Sequence, residues 1–113
     1  INIKKNSEII AKINLNFVSM SYITDTIIDA GAFIERLDLV ISPDTSIVHV
    51  ASALNIPLVS IHEKNNESYR LWAPTSKLNS TIFAMSEKGL LNYSVHGVIS
   101  SAVQILKKIE QVK

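Results

Sequence analysis

Apolar and polar positions along this chain fall into blocks whose period changes from strand-like to helix-like, and the sharpest change lies in residues 37–61. Leu39-Val40-Ile41 is a compact apolar run closed by Ser42-Pro43, the pattern of a buried strand. Pro43 cannot donate to a ladder and ends that strand. Asp44, Thr45 and Ser46 follow, and each is a residue type that caps a helix N-terminus. Ile47, Val48, Val50, Ala51, Ala53 and Leu54 predict a helix that is apolar nearly all round and rich in small residues. Such a helix lies close against a sheet. Asn55 and Pro57 are its stop signal. Leu58-Val59-Ser60-Ile61 predicts the next buried strand. Strand, helix, strand in this span is a βαβ unit, and its two strands run parallel.

The flanks carry weaker blocks. Residues 1–5 are short and mixed, and read as the tail of a preceding strand. Asn6 or Ser7 can cap a helix with Ile9, Ile10 and Ile13 on one face, broken by Asn14 and Asn16. Phe17-Val18-Ser19-Met20 predicts a first strand, and residues 21–24 a turn. Asp25 or Thr26 caps a helix running to about Arg36, with Ile27, Ile28, Phe33, Ile34 and Leu37 at helical spacing. Gly31 lies inside it, at a cost of about 1 kcal/mol against Ala, which close packing on a sheet would explain. Residues 62–74 form the longest polar stretch and predict a loop leaving the carboxyl end of a strand. That loop is either a solvated connection or a flap over a ligand, with Arg70 or Lys64 offering charge, and Trp72 is expected to pack. Thr81-Ile82-Phe83-Ala84 predicts a fourth strand, and residues 86–94 a connection. Residues 95–112 predict a last helix with Val98, Ile99, Ala102, Val103, Ile105, Leu106 and Ile109 as its buried stripe, and His96 is given no role. The expected fold class is α/β: a Rossmann-like parallel sheet flanked by helices, with residues 1–113 as one partial domain.

This architecture gathers strand carboxyl ends and helix N-termini on one edge, where ligands bind. The first amides of a helix have no partner within it, and the macrodipole places a partial positive charge beside them, which suits a phosphate. Asp44, Thr45 and Ser46 stand at that spot in the βαβ unit. His49 is about one turn further on, and side chains lean toward the helix N-terminus, so it can reach back to the turn. Hydroxyls and amides would take phosphate oxygens, and Asp44 suits sugar hydroxyls. Against this stands the plainer reading: Asp-Thr-Ser is a common cap, and a lone helical histidine more often packs than binds. Four polar groups on an otherwise apolar element, at the ligand edge, favour a site.

The pattern Asp44-Thr45-Ser46-x-x-His49-x-Ala51-x-Ala53-Leu54-x-x-Pro57 resembles the signature of glycosyltransferase family 9, the ADP-heptose:lipopolysaccharide heptosyltransferases. The family's usual form has Gly where this chain has Ser46. A Cβ there narrows the approach of a diphosphate to the backbone. The family's Gly-Pro-Thr turn after the second strand is replaced by His62-Glu63-Lys64. The resemblance implies a two-domain GT-B enzyme of the inverting type, of which this chain is most of the C-terminal, donor-binding half. Asp44, Thr45, Ser46 and His49 would then hold the diphosphate and sugar of the donor, and Asp25 and Thr26 would border its base. The family's carboxylate general base belongs to the N-terminal domain, and its lysine would lie upstream of Ile1. No catalytic residue is expected within this stretch, which alone should bind weakly and not catalyse. No cofactor and no metal are implied. The implied partners are a nucleotide-sugar donor, ADP-heptose-like, and a lipopolysaccharide core acceptor reached through the N-terminal domain. The implied location is cytoplasmic, peripheral at the inner membrane.

Composition narrows the picture only slightly. The 113 residues are 47% hydrophobic and 19% charged, a globular balance. A net charge of +1 gives no field that would draw the chain to nucleic acid. Cysteine is absent, which excludes disulfides and thiolate metal sites and fits a reducing compartment. No apolar run approaches the roughly 18 residues of a membrane span. The chain begins at Ile1 without Met or a leader pattern, and is expected to be a piece of a longer or processed protein. Two other readings stay open: a non-catalytic glycosyltransferase-like module in a larger protein, favoured by Ser46 and the altered turn after Ile61, and an unrelated flavodoxin-like binding domain, a fold-level analogy.

Overall fold

The computed structural model describes residues 3–64, 69, 72–85 and 92–112. Its elements, in chain order, are α1 (Ile3–Ile13), α2 (Ile27–Ile34), β1 (Val40–Pro43), α3 (Ser46–Ala53), β2 (Leu58–His62), β3 (Asn79–Phe83) and α4 (Val95–Val112). The strands form one parallel sheet in the order β1-β2-β3. Val40 is level with Leu58, and Leu58 with Asn79. Parallel neighbours require crossovers, and α3 supplies the one between β1 and β2.

Period-2 alternation divides the core between the two faces of the sheet. Val40 and Leu58 pack with Ile34 of α2 and Val48 and Ala51 of α3 on one face. Val59 and Ile61 pack with Val98, Ala102 and Ile105 of α4 on the other. The sheet is therefore sandwiched between helices, the Rossmann-like α/β arrangement expected from the residue pattern.

Local chemistry sets the helix ends. Thr26 caps α2 from an extended backbone, its Oγ1 accepting from the Asp29 amide at 3.1 Å. Thr45 caps α3 in the same way, its Oγ1 accepting from the Ile47 amide at 3.3 Å. α3 ends in a Schellman motif. Asn55 takes a left-handed backbone (φ 55°), its amide donates to Ser52 O, and the Ile56 amide donates to Ala51 O. The rear of α3 then clasps the approach to β3. The Thr75 amide donates to Ser52 Oγ, Ser76 Oγ to Ala51 O, and the Lys77 amide to Asn55 Oδ1 at 2.8 Å.

Several expectations are corrected. Residues 17–20 do not form a strand. The Val18 amide closes a turn onto Leu15 O, and Phe17 stands largely exposed. An apolar tetrapeptide becomes a strand only when a neighbour pairs with it, and none of the described residues does. The described sheet accordingly has three strands rather than four. Residues 3–5 belong to α1, not to a strand tail, so the helix starts before Asn6 and Ser7. Asn14 ends it in a left-handed conformation (φ 49°). β2 runs one residue further than expected, through His62. The connection over residues 86–91 lies outside the described residues.

Gly31 faces α3, not the sheet: a Cβ built there would meet Val50 Cγ1 at 3.6 Å, an ordinary contact. Gly31→Ala is therefore expected to raise stability by about 0.5–1 kcal/mol through helix propensity. Leu58 is fully buried where β2 meets α2 and α3, and Leu58→Ala is expected to lower stability by about 2–5 kcal/mol. Denaturant titration of the two variants beside the parent checks both signs.

Candidate functional site at the carboxyl edge of the sheet

At the carboxyl edge the face toward α3 turns polar. Val40 and Leu58 give way along their strands to Ser42 and Ser60, and these to Asp44 and His62. The Asp44 amide donates to Ile61 O at 2.9 Å, so the turn is pinned to β2 before the helix begins. Buried Ser42 donates to Pro43 O at 2.8 Å and lies 3.3 Å from Thr45 Oγ1. With the single Ser42 hydroxyl proton spent on Pro43 O, the Thr45 hydroxyl is the donor toward Ser42.

This network uses the amides of Asp44, Ile47 and Val48. The amides of Thr45 and Ser46 have no acceptor among the described residues, and they sit at the positive end of the α3 dipole. Ser46 is exposed in an ordinary helical backbone and is not among the residues of positive φ. Nothing in its conformation calls for glycine. His49 is also exposed, on the first turn of α3.

His62, whose polarity predicts a loop, is the last residue of β2 and only 1% exposed. Its Nε2 lies 2.9 Å from Ser60 Oγ, and its Nδ1 lies 3.5 Å from Asp44 Oδ2. Tyr69 meets the imidazole edge-on at a centroid distance of 4.9 Å, and Phe83 flanks it at 6.2 Å. The neutral tautomer carrying its proton on Nδ1 suits both polar neighbours: Ser60 donates to Nε2 and Nδ1–H points at the carboxylate. Serine, histidine and aspartate in this order resemble a hydrolytic triad, but Ser60 is completely buried and no substrate reaches it. The alternation Leu58-Ser60-His62 was the signal in the sequence that could have extended the strand.

Trp72 is the second residue misjudged. Far from packing, it is 66% exposed, with its ring edge-on to His49 at a centroid distance of 6.5 Å. Sequence polarity alone did not mark this exposed aromatic beside a polar helix end. The structure thus brings Asp44, Thr45, Ser46 and His49 to one edge, with His62 beneath and Trp72 beside them. Asp25 and Thr26 lie at the start of α2, where Thr26 is committed to its cap. Neither lines the cavity of about 230 Å³ that Ser21, Thr24, Phe33, Leu37 and Val40 form beside Ile47. Lys64 is exposed just beyond β2, and Arg70 lies outside the described residues.

The family model for glycosyltransferase family 9 (heptosyltransferase) matches residues 24–90, which carry α2, all three strands and α3. The chain belongs to glycosyltransferase family 9. Its parallel sheet between helices is the Rossmann-like part of that family's GT-B architecture, and the chain is a glycosyltransferase module. It has no match among curated proteins and none among solved structures. Among the described residues, no group of three His, Cys, Asp or Glu side chains is placed to hold a metal ion. No helix among them is long and apolar enough to cross a membrane.

Burial holds the His62 imidazole below its ordinary pKa of 6.5, Asp44 opposes that shift, and the neighbouring His49 reinforces it. The native imidazole is therefore neutral where the unfolded one begins to protonate. This contribution to stability is complete above about pH 6.5 and is lost as pH falls through and below that value. Thermal denaturation of the glycosyltransferase module between about pH 7.5 and 5.5 should show a declining midpoint, with a shallower decline in His62→Gln.

Proposed function

We propose that the chain is the donor-binding domain, over residues 1–113, of an inverting glycosyltransferase that moves heptose from ADP-heptose to a lipopolysaccharide core acceptor. The observation that carries this reading is the convergence of Asp44, the Thr45 and Ser46 amides and His49 at the N-terminus of α3. Amides and helix dipole favour the diphosphate, and His49 donates to one of its oxygens. Asp44 keeps a side chain 30% exposed and accepts hydrogen bonds from sugar hydroxyls. Asp25 and Thr26 border the base, beside the cavity that Thr24 lines.

The chemistry then divides between two domains. The acceptor hydroxyl attacks the anomeric carbon as the bond from that carbon to the diphosphate oxygen breaks. A carboxylate of an N-terminal domain takes the hydroxyl proton. The residues of this chain stabilise the negative charge that collects on the departing ADP, and they hold the anomeric carbon in place. The stretch alone binds donor weakly and transfers nothing. The protein works in the cytoplasm, peripherally at the inner membrane, where a lipid-borne acceptor is met.

The replacement of the family's turn by His62-Glu63-Lys64 favours a second reading, a non-catalytic module that keeps the fold without transfer. Calorimetric titration of the full-length protein with ADP and with ADP-heptose separates the two. His49→Ala is expected to weaken both ligands by about tenfold, the loss of one charge-assisted hydrogen bond. Asp44→Ala should weaken ADP-heptose selectively. Equal affinities in all three proteins overturn the donor-binding reading.

A further inference from the structure

We infer that His62 is a positioning residue for Asp44, a buried imidazole strut that aims the carboxylate at the sugar of the donor. This rests on the donor-binding reading and adds to it a residue that stands where the family's turn has none of its kind. Three observations carry it. His62 is the largest polar side chain among the fully buried residues, and it closes a strand whose every residue is buried. Its ring is held on three sides, by Ser60 on Nε2, by Tyr69 edge-on and by Phe83. Tyr69 is itself anchored, its hydroxyl 3.0 Å from Thr81 Oγ1. The one polar atom left over is Nδ1, buried and without a formed hydrogen bond, and it faces Asp44 Oδ2 across 3.5 Å.

A residue kept here only for packing would be apolar, because a buried ring nitrogen with no partner is costly. The imidazole instead offers a single N–H in a fixed direction. Asp44 leaves the ladder at its own amide, which fixes its Cα beside β2. A donor beneath one carboxylate oxygen narrows the rotamers open to that side chain and favours those that turn the other oxygen outward, toward the edge where His49 and Trp72 stand. Other titratable groups facing the ring are His49 from α3 and Tyr69 from the segment beyond β2. His49 disfavours a charged imidazole at this place.

The test is the ratio of ADP to ADP-heptose dissociation constants in the full-length protein. Asp44→Ala is measured first. If it leaves that ratio unchanged, the donor-binding reading fails and this inference with it. If the ratio collapses, His62→Phe, which keeps a ring against Tyr69 and Phe83, is expected to lower it by about fivefold to tenfold. His62→Gln, which keeps an N–H, should restore part of it. The Asp44→Ala/His62→Phe double variant should be no worse than Asp44→Ala alone. An unchanged ratio in His62→Phe overturns the inference while the reading of Asp44 stands. Should His62→Phe fail to fold, nitrogen-15 NMR of the unaltered protein decides. The His62 ring is expected as the Nδ1–H tautomer, with that proton moving downfield on addition of ADP-heptose and not of ADP. The Nε2–H tautomer, or an unmoved proton, overturns the inference.

Discussion

Parallel pairing of β1 and β2 is the constraint from which the rest follows. Two neighbouring strands that run the same way cannot be joined by a tight turn, so the chain must return over a face of the sheet. In this protein it returns as α3, eight residues whose small and branched side chains let it lie close. A helix used as a return element begins where the first strand ends. Its first amides and its dipole are therefore delivered to the carboxyl edge by connectivity, whatever residues occupy the turn. The residues then decide what that edge is good for. Asp44 and Ser46 are exposed at a point the backbone has already made attractive to an anion, and Thr45 spends its side-chain oxygen on the cap.

The same face of the sheet changes character along its length. At the amino end it is hydrocarbon, Val40 beside Leu58, and it closes onto α2 and α3. One pleat further it carries two hydroxyls, Ser42 and Ser60, and then a carboxylate and an imidazole. Each polar group in this series is tied to the next or to the turn: Ser42 to Thr45, Ser60 to His62, His62 toward Asp44. Buried polar groups are tolerable only when such partners exist. The gradient stabilises the amino end by apolar burial and leaves the carboxyl end specified by hydrogen-bond geometry.

How far this was legible in the sequence depended on whether the determining contacts are local. The βαβ unit was readable because its evidence is short-range: an apolar run, a proline that closes it, a cap, and an Asn55 able to take a left-handed backbone. The bounds of the last helix were readable for the same reason, but its buried stripe is narrower than expected: Val98, Ala102 and Ile105 are buried, whereas Ile99, Val103 and Leu106 stand exposed. Phe17 to Met20 looked like a strand because apolar composition says nothing about whether a partner strand lies alongside. His62 and Trp72 were misjudged in opposite directions. Polarity placed the histidine outside, yet Ser60 on its own strand and rings from residues 69 and 83 make its burial tolerable. Bulk placed the tryptophan inside, yet its neighbour is His49 at the surface. The contacts of His62 with Phe83 and of Trp72 with His49 span more than twenty residues, which no window of local pattern contains, whereas the alternation Leu58-Ser60-His62 was a local signal that polarity masked. Asp44, Thr45, Ser46 and His49 fall within six residues, so their meeting at one edge was legible from spacing alone.

The hydrogen bonds between the far end of α3 and residues 75–77 have a separate consequence. They fasten the second crossover at the back of the molecule, where Asn55 and Ser52 act as a buckle just before β3 begins. Strand alignment is thereby settled from behind. Alignment of β3 on β2 is then held by contacts with α3 as well as by the ladder itself. The residues that close α3, Ser52 and Asn55, thereby also fix where the next strand starts.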